Sequence, residues 1–347
     1  METSKFAIGR RKPVDLSSFS PVRERLPEGG GTLPLILEPA YSGAILSDWA
    51  GQHRDEIESY LSRHGAILFR GFGLSTIADF ESVATSITGG LYGGYGDLPR
   101  AGKSENIYAS TPFPNDMSIL FHNESSHLSS WPMKIAFFCM IPSETGGETP
   151  LLDCREACRK MRPEALEKFE RLGVTYVRNF GDGLDVSWQQ FFHTDDRNAV
   201  EETCKAEGLD CEWKPGNGLR IRHRTSAVAN HPRTGEKIFF NQIQLHHPYC
   251  LGKDVRESLL SIYREEDLPR NVYYGDGSII EDSMMEELDE LYWRFDVELP
   301  WQAGDIILLD NMLTAHARKP FSGDRKICVA MGQMMERSTL LAKVMTN

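Results

Sequence analysis

The sequence lacks the features that mark secreted, membrane-spanning and disulfide-bonded proteins. Residues 1–25 carry charges throughout and contain no apolar run, so they do not resemble a signal peptide. No stretch approaches the roughly 18 to 20 consecutive apolar residues that a membrane-spanning helix needs. The seven cysteines form no Cys-x-x-Cys pair, and an odd number in a chain of 347 residues argues against a disulfide scaffold. We therefore expect a soluble, cytoplasmic protein with free thiols.

Several motifs of nucleotide-binding proteins and hydrolases are also missing. No Gly-x-Gly-x-x-Gly or P-loop segment opens a helix after a strand, which disfavours nucleotide-binding folds. Neither Gly-x-Ser-x-Gly nor His-Glu-x-x-His occurs, which disfavours serine hydrolases and zinc proteases. The formal net charge is −12 and the pI is near 5.4. This acidic balance gives no support for nucleic acid or an anionic membrane as a partner.

The pattern of apolar residues predicts a mainly β fold with flanking helices, built as an antiparallel sandwich or barrel. Helical periodicity predicts helices over 48–64, 76–88, 154–172 and 281–294. Short apolar runs bounded by turns predict strands over 66–72, 118–122, 134–141, 149–153, 219–229, 236–241, 305–310 and 326–333.

Two segments differ from this pattern. Residues 1–31 are polar and end in three glycines, which predicts an N-terminal arm over the surface. Residues 89–118 are rich in Gly, Pro, Ser and Asn, and a loop of that length in a compact domain is often functional. No change of composition divides residues 32–347, which we expect to form a single domain.

The strongest local signal is the segment Phe121-His122-Asn123-Glu124. Side chains two apart on a strand point to the same face, so His122 and Glu124 can reach one metal ion. His316, after the apolar run at 305–310, offers a third ligand. Two imidazoles and one carboxylate on one face of an octahedral ion leave three positions open, as in non-haem iron(II) oxygenases. A lone His-x-Glu is weak support, because such short patterns occur by chance.

The wider pattern strengthens this interpretation. Gly146-Gly147-Glu148-Thr149 follows His122-x-Glu124, and Asp310-Asn311, His316 and Arg325 come later in that order. Together these residues resemble the taurine dioxygenase superfamily of iron(II)/2-oxoglutarate oxygenases. The likeness is greater to the clavaminate synthase-like branch, which includes aspartyl hydroxylases, and it covers about residues 60–335.

The resemblance implies a fold, a set of cofactors and a role for five residues. The fold is a double-stranded β-helix, a jelly-roll of the cupin kind, and the cofactors are Fe(2+), 2-oxoglutarate and O2. His122, Glu124 and His316 match the iron ligands. Arg325 matches the arginine that grips the distal carboxylate of 2-oxoglutarate, and Thr149 matches the threonine that hydrogen-bonds it. A planar guanidinium binds a carboxylate bidentately, which agrees with this role for Arg325.

Two positions separate the chain from relatives with other chemistries. Val329 stands four residues beyond Arg325, where taurine-oxidising members have a sulfonate-binding arginine. Glu124 is a carboxylate where halogenating relatives have a small residue. We therefore expect neither a sulfonate held in that way nor halogenation. The resemblance implies hydroxylation of an amino-acid-like small molecule, free or tethered to a peptide carrier protein, in natural-product biosynthesis.

Four residues are candidates for substrate contacts. Arg100, Asn106 and Tyr108 lie in the 89–118 loop. In the resembling branch this stretch lines the substrate pocket and can act as a lid, so the resemblance implies a lid-like loop here. Arg100 is the preferred anchor for a substrate carboxylate. Asn241 ends the strand predicted at 236–241. A solvated loop position is an equally good interpretation for each residue of the loop.

Other basic residues suggest metal or anion sites, but strand geometry disfavours these interpretations. His127 would face away from His122 on a continuing strand, so we interpret it as structural. His246 and His247 are adjacent, and on a strand they would point to opposite faces. Three arginines alternate along one predicted strand: Arg220, Arg222 and Arg224. We expect them to pair with acidic side chains at a sheet edge rather than to bind an anionic ligand.

Three alternatives stay open. The same oxidative chemistry could give desaturation, epoxidation or cyclisation, because the outcome depends on substrate position to within about an ångström. A zinc-dependent hydrolase could use the same three ligands, but it leaves Arg325 and Thr149 without a role. The third alternative is a catalytically silent binding protein of the same fold. The sequence leaves the oligomeric state open.

Overall fold

The computed structural model describes residues 20–94, 99–102, 104–181 and 186–339. The helices within these ranges are α1 Leu46–Gln52, α2 Arg54–His64, α3 Ile77–Thr88, α4 Cys154–Lys160, α5 Pro163–Leu172, α6 Trp188–Phe192, α7 Arg197–Glu207, α8 Ile243–His246, α9 Lys253–Ile262 and α10 Asp282–Phe295. The first nine strands are β1 Val22–Arg25, β2 Leu35–Pro39, β3 Ala66–Phe69, β4 Ile107–Ala109, β5 Ile119–His122, β6 Ser130–Ile141, β7 Thr145–Gly146, β8 Leu151–Asp153 and β9 Val174–Phe180. The later strands are β10 Asp210–Lys214, β11 Gly218–Thr225, β12 Val228–Asn230, β13 Lys237–Phe239, β14 Arg270–Tyr274, β15 Ile306–Asp310, β16 Thr314–Arg318, β17 Phe321–Ser322 and β18 Lys326–Glu336.

A seven-stranded sheet forms the larger layer, in the order β1-β2-β3-β15-β6-β18-β4. Its pairs are antiparallel apart from β2 and β3, which run parallel. The central strands β3 and β15 are buried at every residue. Ile67 and Phe69 pack under helices α1 to α3, whereas Ala66 and Leu68 point to the other face and meet Leu151 of β8. Burial on both faces explains why these strands read as continuous apolar runs.

Smaller sheets lie beyond this layer. The three-stranded sheet β5-β16-β8 brings the strand before Glu124 next to the strand that carries His316. The four-stranded sheet β10-β11-β9-β14 adds a further layer, and two-stranded pairs join β12 to β13 and β17 to β7. The chain is thus rich in sheet and carries several helices, which confirms the coarse prediction of fold class.

Two predicted helices are each divided in the structure. The segment 48–64 forms α1 and α2, which are separated by His53 with φ −119° and ψ 34°. The segment 154–172 forms α4 and α5, and the break falls just before Pro163. Proline disfavours a helical conformation in the residue that precedes it, which accounts for this second break. Helix α3 begins as predicted, and Thr76 and Asp79 form a reciprocal capping box at its start.

The predicted N-terminal arm and the predicted 89–118 loop each contribute a strand to the large sheet. Val22–Arg25, within the predicted arm, pairs with β2 as an edge strand, and residues 1–19 lie outside the described residues. Ile107–Ala109, within the predicted lid, pairs with β18. The domain boundary at residue 32 and the lid both stay predictions. No helix in the described ranges is long and apolar enough to cross a membrane.

Candidate metal centre and cofactor pocket

The structure brings His122, Glu124 and His316 together. His122 ends β5 and lies directly opposite His316 of β16 in the antiparallel register, with ring centroids 4.3 Å apart. Glu124 follows two residues later, and its Oε2 lies 3.9 Å from Nε2 of His122. One potential ligand atom from each of the three residues lies within 4.8 Å of the other two. Two strands that are far apart in sequence thus form a compact donor set of two nitrogens and one oxygen.

A hydrogen bond at His122 and burial at His316 suit the two imidazoles to a metal. Nδ1 of His122 lies 2.8 Å from the carbonyl oxygen of Leu120, which can only accept, so Nδ1 carries the proton. The lone pair of His122 is therefore on Nε2, the nitrogen nearest Glu124. Burial keeps the pKa of His316 well below its usual range, and the adjacent His122 ring lowers it further. A neutral imidazole is the form that binds a metal ion.

A buried amide fixes the backbone at Glu124. Oδ1 of Asn311 accepts from the Glu124 N–H at 2.8 Å, and its Nδ2 donates to the Glu124 carbonyl at 2.9 Å and to the Pro132 carbonyl at 2.9 Å. The carbonyl of Asn311 in turn accepts from Nδ2 of Asn123 at 2.7 Å. Sequence reasoning used Asp310-Asn311 only as part of a motif and missed this positioning role. The one signal was the polar pair Asp310-Asn311 at the end of an otherwise apolar strand.

A cavity opens beside the triad. The residues that line it include the triad and both residues expected to bind 2-oxoglutarate: Ser110, Thr111, Ile119, His122, Glu124, Phe137, Thr149, His316, Ala317, Arg318, Arg325, Ile327 and Val329. Val329, at the position where a sulfonate-binding arginine was considered, is thus part of the wall. The structure therefore gathers five of the predicted site residues around one cavity.

Arg325 and Thr149 are each held by a neighbour at the cavity wall. Nε of Arg325 donates to the carbonyl of Gly147 at 3.0 Å, and its guanidinium lies 5.4 Å from the Phe321 ring centroid. Trp301 donates its indole N–H to Oγ1 of Thr149 at 3.2 Å, which leaves the threonine hydroxyl proton for another acceptor. Burial, together with the charge of Arg318, lowers the pKa of Arg325 to about 10. A buried cation of this kind is stabilised by an anion placed beside it.

Arg318 is a second cation at the same cavity, and sequence reasoning missed it. Its NH1 donates to the carbonyl of Phe113 at 3.2 Å, and its NH2 donates to the carbonyls of Pro114 at 2.5 Å and Met117 at 2.6 Å. This segment leads into β5, the strand that ends at His122. Arg318 therefore ties β16 to the approach of the neighbouring strand. The spacing His316-x-Arg318 was the available signal.

The four predicted substrate residues do not line this cavity. Arg100 donates to the carbonyl of Gly93 at 2.5 Å and lies over the ring of Tyr108, whose hydroxyl donates to the Tyr92 carbonyl at 3.1 Å. The amide of Asn106 lies 3.5 Å from Glu81. Asn241 donates its backbone N–H to Oδ1 of Asn123. A role for these four residues in substrate binding stays a prediction.

The other basic residues lie as follows. His246 ends helix α8 and His247 follows it, so the expectation that they alternate on a strand was wrong. Nε2 of His247 donates to the Ile280 carbonyl, and its Nδ1 accepts from the Tyr249 N–H. Arg220 pairs with Asp267 at 2.6 Å and Arg222 with Glu212 at 2.9 Å, as favoured, although β11 is an interior strand of its sheet and not an edge. The described metal-binding cluster does not include His127.

Comparison with known proteins agrees with this geometry. Residues 33–331 match the model of the taurine catabolism dioxygenase TauD, TfdA family. The chain is 33% identical over 297 residues to the dapdiamide synthesis protein DdaC of Enterobacter agglomerans, covering 85% of this chain and 90% of that protein. It is 26% identical over 310 residues to a clavaminate synthase-like protein of Arabidopsis thaliana, covering 84% and 89%.

Solved structures show the same fold. PvcB of Pseudomonas aeruginosa superposes with a TM-score of 0.54 at 15% identity, covering 90% of this chain and 92% of that one. A taurine dioxygenase of Burkholderia xenovorans superposes with a TM-score of 0.52 at 13% identity, covering 90% and 89%. At this level of identity the likeness concerns the fold alone.

The fold and the triad define the class of protein as the non-haem oxygenases with two histidines and one carboxylate. The chain belongs to the TauD/TfdA family, whose model matches most of its length. This membership confirms the predicted enzyme class, an Fe(II)/2-oxoglutarate-dependent dioxygenase, and its cofactors, Fe(2+), 2-oxoglutarate and O2.

Proposed function

We propose that this enzyme hydroxylates an amino-acid-like small molecule, free or tethered to a peptide carrier protein, in natural-product biosynthesis. The observation that carries the chemistry is the meeting of His122, Glu124 and His316 beside a cavity that Thr149 and Arg325 also line. The relatives support the biosynthetic setting. One is named for dapdiamide synthesis, and PvcB is described as an oxygenase from an isonitrile synthetic pathway.

His122, Glu124 and His316 are the proposed iron ligands. The donor set fits iron(II), because two neutral imidazoles and one carboxylate suit that ion and leave positions for a co-substrate. When bound, the iron would activate O2, which is the oxidant, and 2-oxoglutarate would be the co-substrate that is oxidised together with the substrate. The chain contributes the positions of the three donor atoms, which Asn311 secures at Glu124 and the Leu120 carbonyl secures at His122.

Arg325 and Thr149 are the proposed contacts for the distal carboxylate of 2-oxoglutarate. The buried guanidinium of Arg325 lies at the cavity wall, and the Thr149 hydroxyl keeps its proton available because Trp301 donates to its oxygen. Apolar side chains line the same cavity, among them Phe137, Ile327 and Val329. Charge-assisted hydrogen bonds are stronger in such surroundings.

The finer features of fold, domain and location belong to the same proposal. The large sheet and the β5-β16-β8 sheet face each other across the triad, which supports a double-stranded β-helix with the metal between its layers. We propose a single domain from residue 32 and a cytoplasmic enzyme. All seven cysteines are free, as expected in a reducing compartment.

An anaerobic titration tests the cofactor chemistry directly. Iron(II) and 2-oxoglutarate are added to the apoprotein, and the weak visible metal-to-ligand charge-transfer band is recorded for wild type, His122→Ala and Arg325→Ala. Arg256→Ala, at an exposed ion pair with Asp282, is the matched control. We expect the band in wild type and in the control, and its loss or marked weakening in the two site variants.

Each result of this titration has a clear meaning. A folded, metal-loaded wild type without the band contradicts the oxygenase proposal and returns the zinc hydrolase to consideration. A band in wild type justifies a screen of amino acids and their carrier-bound forms by succinate release. Products identified in that screen separate hydroxylation from desaturation, epoxidation and cyclisation.

A further inference from the structure

A second cavity is lined by residues from α5, β11, β12 and the end of β18. Its volume is about 540 Å³, whereas a water molecule takes up roughly 30 Å³ in the liquid. It shares no lining residue with the cavity that holds the proposed iron ligands. Three arginines and one acidic residue line it: Arg171, Arg224, Arg337 and Glu170. A basic cavity in a chain with a net charge of −12 points to an anionic ligand.

Arg224 is the third member of the row of arginines that alternate along β11. The other two are paired, Arg220 with Asp267 and Arg222 with Glu212. The Arg224 side chain forms no ion pair or hydrogen bond with any described residue. It is exposed and lines the cavity, so it provides an uncompensated cation that solvent-borne ligands can reach.

Arg337 adds a buried cation to the same cavity. Its NH2 donates to the carbonyls of Ser126 at 2.7 Å and Leu128 at 3.2 Å, and its guanidinium carbon lies 4.9 Å from the Trp131 ring centroid. Its Nε is buried and has no hydrogen-bond partner in the described part of the chain. Burial lowers the pKa of Arg337 to about 10. An anion beside such a cation stabilises its charged form.

Thr225 brings a second buried polar atom without a partner. The residue is 8% exposed, and its Oγ1 is buried without a hydrogen bond to any described residue. Buried polar atoms in native proteins are nearly always hydrogen-bonded, so an unpaired one signals a missing water or ion. Here two such atoms, Oγ1 of Thr225 and Nε of Arg337, belong to residues that line one cavity. Both can donate, so the missing partner is a hydrogen-bond acceptor.

The acidic residue of the cavity does not fill this role. The carboxylate of Glu170 is already paired, because its two oxygens lie 2.7 and 2.9 Å from Nζ of Lys237. Arg171 stands in the last turn of α5, where the helix dipole favours a cation. The three arginines of the cavity thus face one acid whose charge Lys237 offsets.

The arrangement of the donors suits a phosphate group better than a carboxylate. The hydroxyl and the guanidinium groups come from β11 and from the end of β18, so they approach a ligand from different elements. A carboxylate presents two oxygens in one plane, whereas a phosphate presents oxygens in several directions and carries up to two negative charges. Arginine is also the residue that phosphate groups pair with most favourably.

We propose that Arg224, Thr225 and Arg337 bind a phosphate group, with Arg171 at the rim of the site. The phosphate is either inorganic or part of a small phosphorylated molecule, as a monoester or a diester. The site is separate from the proposed iron centre, and the inference does not depend on the proposed function.

Isothermal titration calorimetry on the full chain saturated with 2-oxoglutarate tests this site. The probes are inorganic phosphate, methyl phosphate and dimethyl phosphate, and acetate is the carboxylate for comparison. The site variants are Thr225→Val, which has nearly the same shape, Arg224→Gln and Arg337→Lys. The matched control is Arg222→Gln, two residues before Arg224 on the same strand. Arg325→Ala shows whether a phosphate binds in the catalytic cavity instead.

We expect one phosphate to bind per chain, and acetate to bind at least about tenfold more weakly. Each site variant should lose about tenfold or more in affinity, the value of one hydrogen bond to a charged group. Arg222→Gln and Arg325→Ala should stay within about twofold of wild type. A stronger response to methyl phosphate or to dimethyl phosphate identifies the ligand as a monoester or a diester, and either supports the inference.

Urea unfolding without phosphate separates loss of the site from loss of the fold. Thr225→Val should be at least as stable as wild type, because its hydroxyl has no partner to lose. Thr225→Val and Arg224→Gln carry the test if Arg337→Lys does not fold. The inference is overturned if no phosphate probe binds with saturation, if acetate binds as tightly as phosphate, or if the folded site variants keep wild-type affinity. Loss of binding in Arg325→Ala would also overturn it, since the phosphate would then lie in the catalytic cavity.

Discussion

Replacing Asn311 with alanine should weaken both the fold and the metal centre. The Asn311 side chain is fully buried and makes three hydrogen bonds, two to the backbone of Glu124 and one to the Pro132 carbonyl. A buried polar group that loses its partner costs about 1 kcal/mol or more. Asn311→Ala leaves three such groups without a partner, so we expect the free energy of unfolding to fall by about 3 kcal/mol. That is a large share of the roughly 5 to 15 kcal/mol that stabilises a domain.

The metal centre should respond through Glu124. Loss of a hydrogen-bonding partner behind a metal ligand typically costs about 10- to 100-fold in metal affinity. Urea unfolding of the apoprotein measures the stability change, and anaerobic iron(II) titration measures the affinity. Glu124→Ala is the matched control, because it removes a ligand atom but leaves the Asn311 amide its backbone partners. The reasoning would be refuted if Asn311→Ala had a free energy of unfolding within about 0.5 kcal/mol of wild type and an iron(II) affinity within about twofold of it.

The remaining predictions concern the cofactor pocket and a buried histidine. Arg325→Lys should raise the dissociation constant for 2-oxoglutarate about tenfold or more, because one bidentate charged contact is lost; unchanged affinity in the charge-transfer titration would contradict it. Trp301→Phe removes the indole donor to Thr149 and should weaken 2-oxoglutarate binding by about two- to tenfold, with iron affinity unchanged. Burial lowers the pKa of His246 to about 3, whereas the pKa of a histidine in the unfolded chain is about 6.5. Between these two pH values the unfolded chain is protonated at this histidine and the folded chain is not. This residue should therefore cost about 1.4 kcal/mol of stability per pH unit as the pH falls from about 6.5 toward 3. His246→Gln should reduce that slope by one proton in urea unfolding at several pH values.

Local signals in the sequence were enough for several elements and for the closeness of His122 to Glu124. Thr76 and Asp79 mark the start of a helix by their own side chains, and the structure forms the capping box there. The apolar run at 305–310 became a central strand because both of its faces are buried. The spacing of His122 and Glu124 placed both side chains on one side of the chain. Each of these features depends on neighbours within a few residues.

Features that depend on distant partners were missed. The short strand Ile107–Ala109 exists because it pairs with β18, more than 200 residues later. Helix α8 has four residues, too few for a periodic pattern, and its position follows from packing between β5 and β14. The roles of Asn311 and Arg318 likewise follow from bonds across about 190 to 200 residues of chain. A sequence reveals such residue types but not the partners that give them a role.

The position of Arg318 connects the metal centre to the co-substrate pocket. It lies two residues beyond His316 on β16, past an irregularity in the register with β5. Its N–H groups donate to carbonyls that precede β5, so β16 carries one proposed metal ligand and also secures the strand that carries another. Its charge at the same time lowers the pKa of Arg325 across the cavity. The 2-oxoglutarate dianion, bound beside Arg325 as proposed, would offset this repulsion and stabilise the arrangement that positions His122 and His316. We therefore predict that metal and co-substrate bind cooperatively.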